Sequence, residues 1–254
     1  MILDRFRLDG KVALVTGAGR GLGQGYALAL AEAGADVALL DRTGCARTAE
    51  QIAGLGRRVH QVACDLLTAT PADLDGVVAE VVSELGALDV LVNNAGIIRR
   101  APAVEFSEAD WDDVIDINLK AVFFLSQAAG KVMIAQGHGK IVNVASMLSF
   151  QGGILVPSYA AAKSGVAGIT RSLANEWAKH GVNVNAIAPG YFATDNTAPI
   201  RADEQRERSI VDRIPAGRWG TPEDLQGAVV YLASAASDYA HGSILAVDGG
   251  WLTR

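Results

Sequence analysis

Several features that define other protein classes are scarce or missing in this sequence. Only two cysteines occur among 254 residues, Cys45 and Cys64, too few for a disulfide framework, which favours a reducing compartment such as the cytoplasm. The four histidines are scattered without an i,i+4 pair, so we expect no metal site. The net charge of −6 argues against a nucleic acid partner, although a local basic pocket would still admit a small anionic substrate.

Long apolar segments are also missing. We find no apolar run that approaches the ~18 residues of a membrane span. Residues 1–10 alternate charged and apolar side chains, unlike the apolar core of a signal peptide. We therefore expect a cytoplasmic protein without a membrane partner. Because no linker or low-complexity stretch divides the chain, we predict one domain over residues 1–254.

Short β-branched runs alternate with longer helical patterns along the chain. The predicted strands are Lys11–Thr16, Asp36–Leu40, Arg58–Ala63, Asp89–Val92, Lys140–Val144, Val182–Ala188 and Ser243–Val247. The predicted helices include Leu22–Ala33, Thr43–Leu55, Asn118–Gln136, Pro157–His180 and Thr221–Ser234, with further helices opened by Thr70-Pro71 and by Ser107 to Asp110. This alternation predicts an α/β fold with a doubly wound parallel sheet and helices on both faces. The irregular, charge-rich segment 189–217 is either flexible or a substrate lid, and we favour the lid.

A glycine-rich turn, Thr16-Gly17-Ala18-Gly19-Arg20-Gly21-Leu22-Gly23, lies between the first predicted strand and helix. Glycines let the backbone approach a pyrophosphate, and the start of the helix offers free N–H donors to phosphates. The spacing differs from G-x-G-x-x-G, so the turn alone is also consistent with a tight strand–helix connection. Asp41, about 20 residues further on, ends the second predicted strand and is placed to bind the adenosine ribose hydroxyls. Its charge disfavours a 2′-phosphate, so we predict NAD rather than NADP, although the cations Arg20 and Arg42 are nearby.

Tyr159 and Lys163 are four residues apart in a predicted helix and therefore share one face. A nearby ammonium is expected to lower the pKa of Tyr159, which suits that residue to act as an acid in ketone reduction and a base in alcohol oxidation. Ser146 follows the preceding strand, where parallel sheets bind ligands, and is expected to hydrogen-bond the substrate oxygen. Most lone Tyr–Lys pairs are surface pairs, so this one gains its weight from Ser146 and the glycine turn.

Together these motifs resemble the short-chain dehydrogenase/reductase family over essentially the whole chain. The matching stretches are the glycine turn, Asn93-Asn94-Ala95-Gly96, Asn118, Ser146, Tyr159 with Lys163, and Pro189-Gly190 followed by Thr194. The resemblance implies a single-domain Rossmann fold with seven parallel strands, a nicotinamide cofactor, a Ser–Tyr–Lys centre and a homotetramer. It also implies that Lys163 binds the nicotinamide ribose and that Asn118 holds a water relaying protons to Lys163.

The site residues follow from the motifs and this resemblance. Asp65 ends the third predicted strand and is expected to accept a hydrogen bond from the adenine amino group. The expected catalytic residues are Asn118, Ser146, Tyr159 and Lys163. The expected cofactor contacts are Gly17, Arg20, Gly21, Leu22, Gly23, Asp41, Asp65, Leu66, Asn93, Ala95, Gly96, Tyr159, Lys163, Pro189, Gly190, Phe192 and Thr194.

A narrower resemblance, to the bacterial 2-dehydro-3-deoxy-D-gluconate 5-dehydrogenases (also called 2-deoxy-D-gluconate 3-dehydrogenases), rests on residues 93–100, 145–153, 201–206 and 213–220. It implies a sugar-acid substrate and usually NAD. Arg99 or Arg100 is the expected ligand of the carboxylate, since arginine binds carboxylates bidentately. Gln151 and Ser149 are expected to reach hydroxyls, and Ser146 and Tyr159 the reacting oxygen.

Other functions remain open at this point. The nearest alternative is a 3-oxoacyl-[acyl carrier protein] reductase using NADPH, which Asp41 and the net charge of −6 disfavour. A non-catalytic dinucleotide-binding regulator would be expected to lack Tyr159 or Lys163. The small residues between Ala160 and Gly168 permit close helix packing, either in the core or across a subunit axis.

Overall fold

Seven parallel strands form one sheet in the computed structural model, which describes residues 1–253 apart from the side chain of residue 196. Residue 254, the last of the predicted domain, lies outside the described residues. The strands are β1 (Val12–Thr16), β2 (Asp36–Asp41), β3 (Val59–Ala63), β4 (Val90–Asn93), β5 (Gly139–Val144), β6 (Val182–Pro189) and β7 (Ile244–Val247).

The helices connect these strands. They are α1 (Gly21–Glu32), α2 (Ala46–Gly54), α3 (Pro71–Leu85), α4 (Glu108–Ile115), α5 (Ala121–Gln136), α6 (Pro157–Trp177), α7 (Ala198–Arg201), α8 (Glu204–Val211) and α9 (Glu223–Ala233). Local signals explain several starts: Thr70 caps α3 in a reciprocal capping box with Asp73, and the Ser107 hydroxyl accepts from the Asp110 backbone N–H at the start of α4.

Strand order in the sheet is β3-β2-β1-β4-β5-β6-β7. The chain builds outward from β1 to β3 and then returns to the other side of β1, where Val15 pairs with Val92 of β4. Connections leave β1 and β4 in opposite directions, which opens a crevice at their carboxyl ends. The sequence prediction of a doubly wound parallel sheet with helices on both faces is confirmed.

The core lies in two layers, one on each face of the sheet. Alternate residues of β1 point to opposite faces, so Val15 packs with α1, α2 and α9, and Leu14 packs with α3, α5 and α6. Every residue of β1 and of β6 is buried. Burial on both faces explains why β1 is apolar up to Thr16 rather than alternating, and in β6 the buried Asn183 and Asn185 amides donate to the Ala240 carbonyl at 2.9 and 2.8 Å.

Two predictions about helices need correction. The segment 189–217 contains α7 and α8, so it is not without regular structure. The helices predicted separately after Ser107 and from Asn118 form one run, because the π-helical turn Asp116–Lys120 joins α4 to α5. Other predicted ends differ by small amounts; the helix predicted over Thr43–Leu55, for example, spans Ala46–Gly54.

This joined run, Glu108–Gln136, is long and apolar enough to cross a membrane when only length and composition are considered. It is not an uninterrupted apolar run, because Lys120, Gln127 and Lys131 lie within it. Half of its apolar window is buried inside the structure, where α5 packs against α3 and the sheet, and core helices of soluble proteins pass the same test.

Candidate active site

A cavity of about 830 Å³ opens at the carboxyl ends of the central strands. Its wall is built from the glycine turn, the residues that follow β2, β4, β5 and β6, the start of α6 and part of the segment 189–217. This is the edge at which parallel α/β sheets bind ligands. Most of the residues predicted from the sequence to form a site therefore converge on one place.

The glycine turn forms one end of the cavity, which we call the dinucleotide end. Gly17, Arg20, Gly21, Leu22 and Gly23 all line it, as predicted. A Cβ on Gly23 would lie 2.0 Å from the Gly17 carbonyl oxygen, so α1 begins against the turn as closely as a backbone can. The first residue of α1 has no side-chain cap, which leaves backbone N–H donors at the helix start for an anion.

Acidic residues follow β2 and β3 at this same end. Asp41 is the last residue of β2, and its carboxylate accepts from the Gly19 N–H at 3.2 Å and from the Thr43 N–H and hydroxyl at 3.0 Å each. Asp65, which lines the cavity together with Leu66, pairs with Arg42 at 3.7 Å. Asp41 therefore holds the turn in place in addition to presenting a charge to the cavity.

The residues of the segment Asn93–Gly96 differ in whether they line the cavity. Ala95 and Gly96 line the cavity, as predicted. Asn93 does not: its side chain is buried and donates to Ser126 Oγ and Asn143 Oδ1, both at 2.9 Å, so the prediction of a cofactor contact there needs correction. Its neighbour Asn94 lines the cavity instead and donates to the Thr16 carbonyl at 2.9 Å.

Ser146, Tyr159 and Lys163 meet near the middle of the cavity. The Ser146 and Tyr159 side chains share a hydrogen bond, and the Ser146 hydroxyl also accepts from the Leu148 N–H at 3.1 Å. Pro157 lies in the first turn of α6, a position that favours the start of a helix. Tyr159 and Lys163 are four residues apart in this helix and therefore share one face. The Lys163 ammonium lies 5.6 Å from the centroid of the Tyr159 ring and donates to the Val144 carbonyl at 2.6 Å.

The ionisation of this pair differs from the prediction. Burial raises the pKa of Tyr159, and neither the hydrogen bond with Ser146 nor the charge of Arg100 fully offsets that effect. Burial also lowers the pKa of Lys163 to about 8. The expected lowering of the Tyr159 pKa by the lysine is therefore wrong for this structure, because the ammonium lies over the ring face and both groups are desolvated.

Asn118 lies in the π-helical turn and is fully buried. Its side chain accepts from the Ile97 N–H at 2.9 Å and donates to the Ile97 carbonyl at 2.8 Å. It does not line the cavity, and these bonds fix the irregular segment that follows Gly96. The water relay implied by the family resemblance stays a prediction.

The predicted substrate contacts are only partly brought together. Gln151 and Arg100 line the cavity, whereas Arg99 pairs with Asp110 at 3.1 Å and Asp113 at 2.9 Å and does not. The assignment of Arg99 to the substrate needs correction, because two carboxylates of α4 already hold its guanidinium. Ser149 is also engaged: it donates to the Lys163 carbonyl at 2.6 Å and accepts from the Ser146 N–H at 3.3 Å.

The segment after β6 closes a further part of the cavity wall, which we call the lid end, and its Asp195 pairs with Arg20 of the glycine turn at 3.3 Å. Pro189, Gly190, Phe192 and Thr194, the residues expected to contact the cofactor, line it. Sequence reasoning missed a further set of lining residues, Tyr191, Arg206, Arg213 and Trp251. Tyr191 packs edge-on against Trp251 at 4.8 Å, and the Arg213 guanidinium stacks 4.0 Å above the Trp251 ring.

Comparison with known proteins agrees with this architecture. A model of the short chain dehydrogenase family matches residues 11–205. The chain is 62% identical to the 2-dehydro-3-deoxy-D-gluconate 5-dehydrogenase of Escherichia coli K12 over 100% of both chains. It is 53% identical to the Bacillus subtilis 168 protein of the same name over 99% of this chain and 98% of that one. It also resembles the crystal structure of a gluconate 5-dehydrogenase from Burkholderia cenocepacia in complex with NADP and tartrate, with a TM-score of 0.96, 41% identity and 100% of both chains covered. The protein therefore belongs to the short chain dehydrogenase family.

Proposed function

We propose that the protein is a dehydrogenase of deoxy sugar acids, which interconverts a secondary alcohol and a ketone on a substrate such as 2-dehydro-3-deoxy-D-gluconate or 2-deoxy-D-gluconate. The observation that carries this proposal is the joint placement of Ser146, Tyr159 and Lys163 beside arginines in one cavity. The names of the two relatives at 62% and 53% identity support the sugar-acid class. They do not favour the alternative, a 3-oxoacyl-[acyl carrier protein] reductase.

The dinucleotide end fits a nicotinamide cofactor. The absence of side chains at Gly19 and Gly23 keeps the backbone open, and the uncapped start of α1 offers donors to the pyrophosphate. When bound, the nicotinamide accepts or supplies the hydride. The residues proposed to hold the cofactor are Gly17, Arg20, Gly21, Leu22, Gly23, Asp41, Asp65, Leu66, Ala95, Gly96, Tyr159, Lys163, Pro189, Gly190, Phe192 and Thr194.

Tyr159, Ser146 and Lys163 carry out the proton transfer. In oxidation the Tyr159 oxygen takes the proton of the substrate hydroxyl, and in reduction it returns that proton to the carbonyl oxygen. Ser146 orients the reacting oxygen through the same hydroxyl group that bonds Tyr159. Lys163 lies below the phenol ring, where its ammonium favours the phenolate once the reaction forms it. Asn118 keeps its proposed role in the relay to Lys163.

For the cofactor we propose a preference for NAD. The support is the fixed carboxylate of Asp41, which repels a 2′-phosphate at the ribose. The gluconate 5-dehydrogenase of Burkholderia cenocepacia was crystallised with NADP, and this points the other way. Arg42 is the nearby cation that would accept a 2′-phosphate, but it is paired with Asp65.

The remaining proposals concern the whole chain. Segment 189–217 acts as a substrate lid of a single domain, since it supplies the lid end of the cavity and most of α8 is exposed. A homotetramer is supported by exposed small residues on α6, namely Ala161, Ser164 and Gly168. Free thiols at Cys45 and Cys64 are consistent with a cytoplasmic location.

Initial rates with 2-deoxy-D-gluconate test the function. We expect NAD reduction to exceed NADP reduction, and both to exceed oxidation of NADPH by acetoacetyl thioester.

Tyr159→Phe should abolish turnover while nearly preserving NAD binding, because only the proton-transferring oxygen is removed. Activity with the thioester and NADPH alone would refute the substrate and the cofactor together, and equal loss of turnover and binding in Tyr159→Phe would refute the role of the tyrosine.

A further inference from the structure

We propose that Arg206, on the lid helix α8, is the principal ligand for the carboxylate of the substrate and that it makes the enzyme selective for sugar acids over neutral polyols. This inference rests on the proposed function and names the residue that recognises the substrate class. It replaces Arg99 and Arg100, the two residues that the sequence pattern offered for the carboxylate.

Acidic and basic side chains line different parts of the cavity wall. Among the described residues, the carboxylates that line the cavity are Asp41, Asp65 and Asp195. The first two follow β2 and β3, and Asp195 pairs with Arg20 of the glycine turn at 3.3 Å, so all three serve the dinucleotide end. The ionised side chains lining the remainder near α8 are arginines. An otherwise acidic protein thus presents a cationic surface where the substrate binds.

The position of α8 directs Arg206 into this region. Ile210 is buried against Met147 and Trp251, and it anchors the helix to the cavity floor. Arg206 precedes Ile210 by one turn and therefore shares its face, and both residues line the cavity. The Asp203 side chain accepts from the Arg206 backbone N–H at 3.1 Å and caps α8, so the helix start is fixed.

Arg206 differs from Arg218, Arg201 and Arg213 in what its side chain contacts. Arg218 pairs with Asp224 at 2.7 Å, Arg201 donates to the Thr194 carbonyl at 3.2 Å, and the Arg213 guanidinium stacks on Trp251. Within residues 1–253 the Arg206 guanidinium has no ion pair, so a ligand does not need to displace a partner. Because a guanidinium binds both oxygens of a carboxylate, it selects the group as well as its charge.

Electrostatics assigns different positions to Arg206 and Arg100. Arg206, Arg213 and Arg100 all lower the pKa of Tyr191, with Arg206 having the largest effect, whereas of these three only Arg100 lowers the pKa of Tyr159. Tyr191 lies at the lid end and Tyr159 at the reacting centre. Arg206 is therefore placed for the distal carboxylate, and Arg100 for the reacting oxygen. A neutral polyol would leave the Arg206 guanidinium without a partner, which is the basis of the selectivity.

Steady-state kinetics of Arg206→Gln tests the assignment, with Arg208→Gln as the matched control. Arg208 lies on the same helix and is exposed, but it does not line the cavity. The substrates are 2-deoxy-D-gluconate and the corresponding alditol, in which CH2OH replaces the carboxylate. We expect the ratio of kcat/KM for acid over alditol to fall about 10- to 100-fold in Arg206→Gln, mainly through KM, as for loss of a charged hydrogen-bond pair. Arg206→Lys should recover part of this ratio, and Arg208→Gln should leave it unchanged.

A binding measurement separates this inference from the proposed function. Titration calorimetry of D-gluconate into the NAD-saturated enzymes, each also carrying Tyr159→Phe to prevent turnover, measures binding alone. Weaker gluconate binding in Arg206→Gln than in Arg208→Gln supports the assignment even if the wild-type enzyme fails to oxidise 2-deoxy-D-gluconate, an outcome that would refute the function alone. Equal gluconate affinity in both variants, or an acid-to-alditol ratio that Arg206→Gln does not change, overturns the assignment.

Discussion

The pKa of Tyr159 depends on effects that oppose one another. Burial favours the neutral phenol, while the hydrogen bond with Ser146 and the charge of Arg100 favour the phenolate. In oxidation the phenolate is the form that accepts the substrate proton, so the rate should rise with pH as Tyr159 ionises. Removing either favourable contact must therefore move the ionisation to higher pH.

Arg100→Gln tests this balance at the level of one residue. We expect the rising limb of kcat/KM for alcohol oxidation to move to higher pH by up to about one unit, because a cation that stabilises the phenolate is lost. The measurement is a pH profile with the sugar acid and saturating NAD. Arg99→Gln is the control, since its guanidinium is held by Asp110 and Asp113 outside the cavity. A limb that stays in place in Arg100→Gln, or moves toward acid, would contradict the assignment.

The Tyr159–Lys163 pair and the neighbouring residues Arg99 and Arg100 show which features of the site could be predicted from the sequence. Helical spacing is local, so the pairing of Tyr159 with Lys163 could be predicted correctly. The direction of the Tyr159 pKa shift could not, because it depends on how deeply distant segments bury the phenol. Arg99 and Arg100 are adjacent in an irregular stretch, and only the position of α4 decides which one reaches the cavity.

At the scale of elements, the glycine turn and α1 form one tightly packed unit. A Cβ on Gly23 would approach the Gly17 carbonyl oxygen to 2.0 Å and the Asn94 amide nitrogen to 2.5 Å. Because one of these contacts is with backbone, a side chain at this position must push α1 away from the turn. The same displacement would move the N–H donors at the start of α1.

Gly23→Ala should therefore weaken cofactor binding and lower stability together. We expect the Kd for NADH to rise at least about 10-fold, consistent with loss of hydrogen bonds to charged phosphates. Gly76→Ala is the matched control, because Gly76 lies in α3 with no atom within 4 Å of the added Cβ. That substitution should raise the free energy of unfolding by about 0.5–1 kcal/mol through helix propensity. NADH fluorescence titration and urea denaturation measure both effects, and unchanged NADH affinity in Gly23→Ala would show that the turn tolerates displacement.

Elements with strong local patterns could be predicted well, and those defined by tertiary contacts could not. Continuous apolar runs and cap residues such as Thr70 predicted the strands and the start of α3. The short helix α8 has mostly charged residues on its surface and one buried anchor, Ile210, so its sequence resembles a loop. Trp251 lies near the end of the chain, and no local pattern indicates that it returns to the cavity beside Tyr191.

At the scale of the whole molecule, burial of Lys163 lowers the stability of the folded protein by an amount that depends on pH. The ordinary pKa of lysine is 10.5, and burial lowers that of Lys163 to about 8. Between these values the unfolded chain binds more protons than the folded protein, so this group makes stability increase with pH. A difference of this size corresponds to about 3 kcal/mol across the whole interval. Below pH 8 Lys163 is charged in both the folded and the unfolded protein, so burial of this charge lowers the free energy of unfolding by its full amount.

Lys163→Met removes this titration while filling a similar volume, so the comparison with wild type isolates it. We expect the free energy of unfolding of wild type minus that of Lys163→Met to increase between about pH 8 and pH 10.5, by up to about 3 kcal/mol. The lost hydrogen bond to the Val144 carbonyl shifts the difference by a constant and does not alter its slope. Urea denaturation at a series of pH values provides the measurement.

The difference between the two proteins, rather than wild type alone, is the informative quantity, because other groups titrate in the same range. Burial raises the pKa of the Cys45 thiol to about 11, so the unfolded chain loses that proton first and stability from this group falls above pH 9. Both proteins carry Cys45, and its contribution cancels in the difference. A difference that is flat or decreasing from pH 8 to 10.5 would mean that Lys163 stays charged in the folded protein, held by Tyr159 ionising with it.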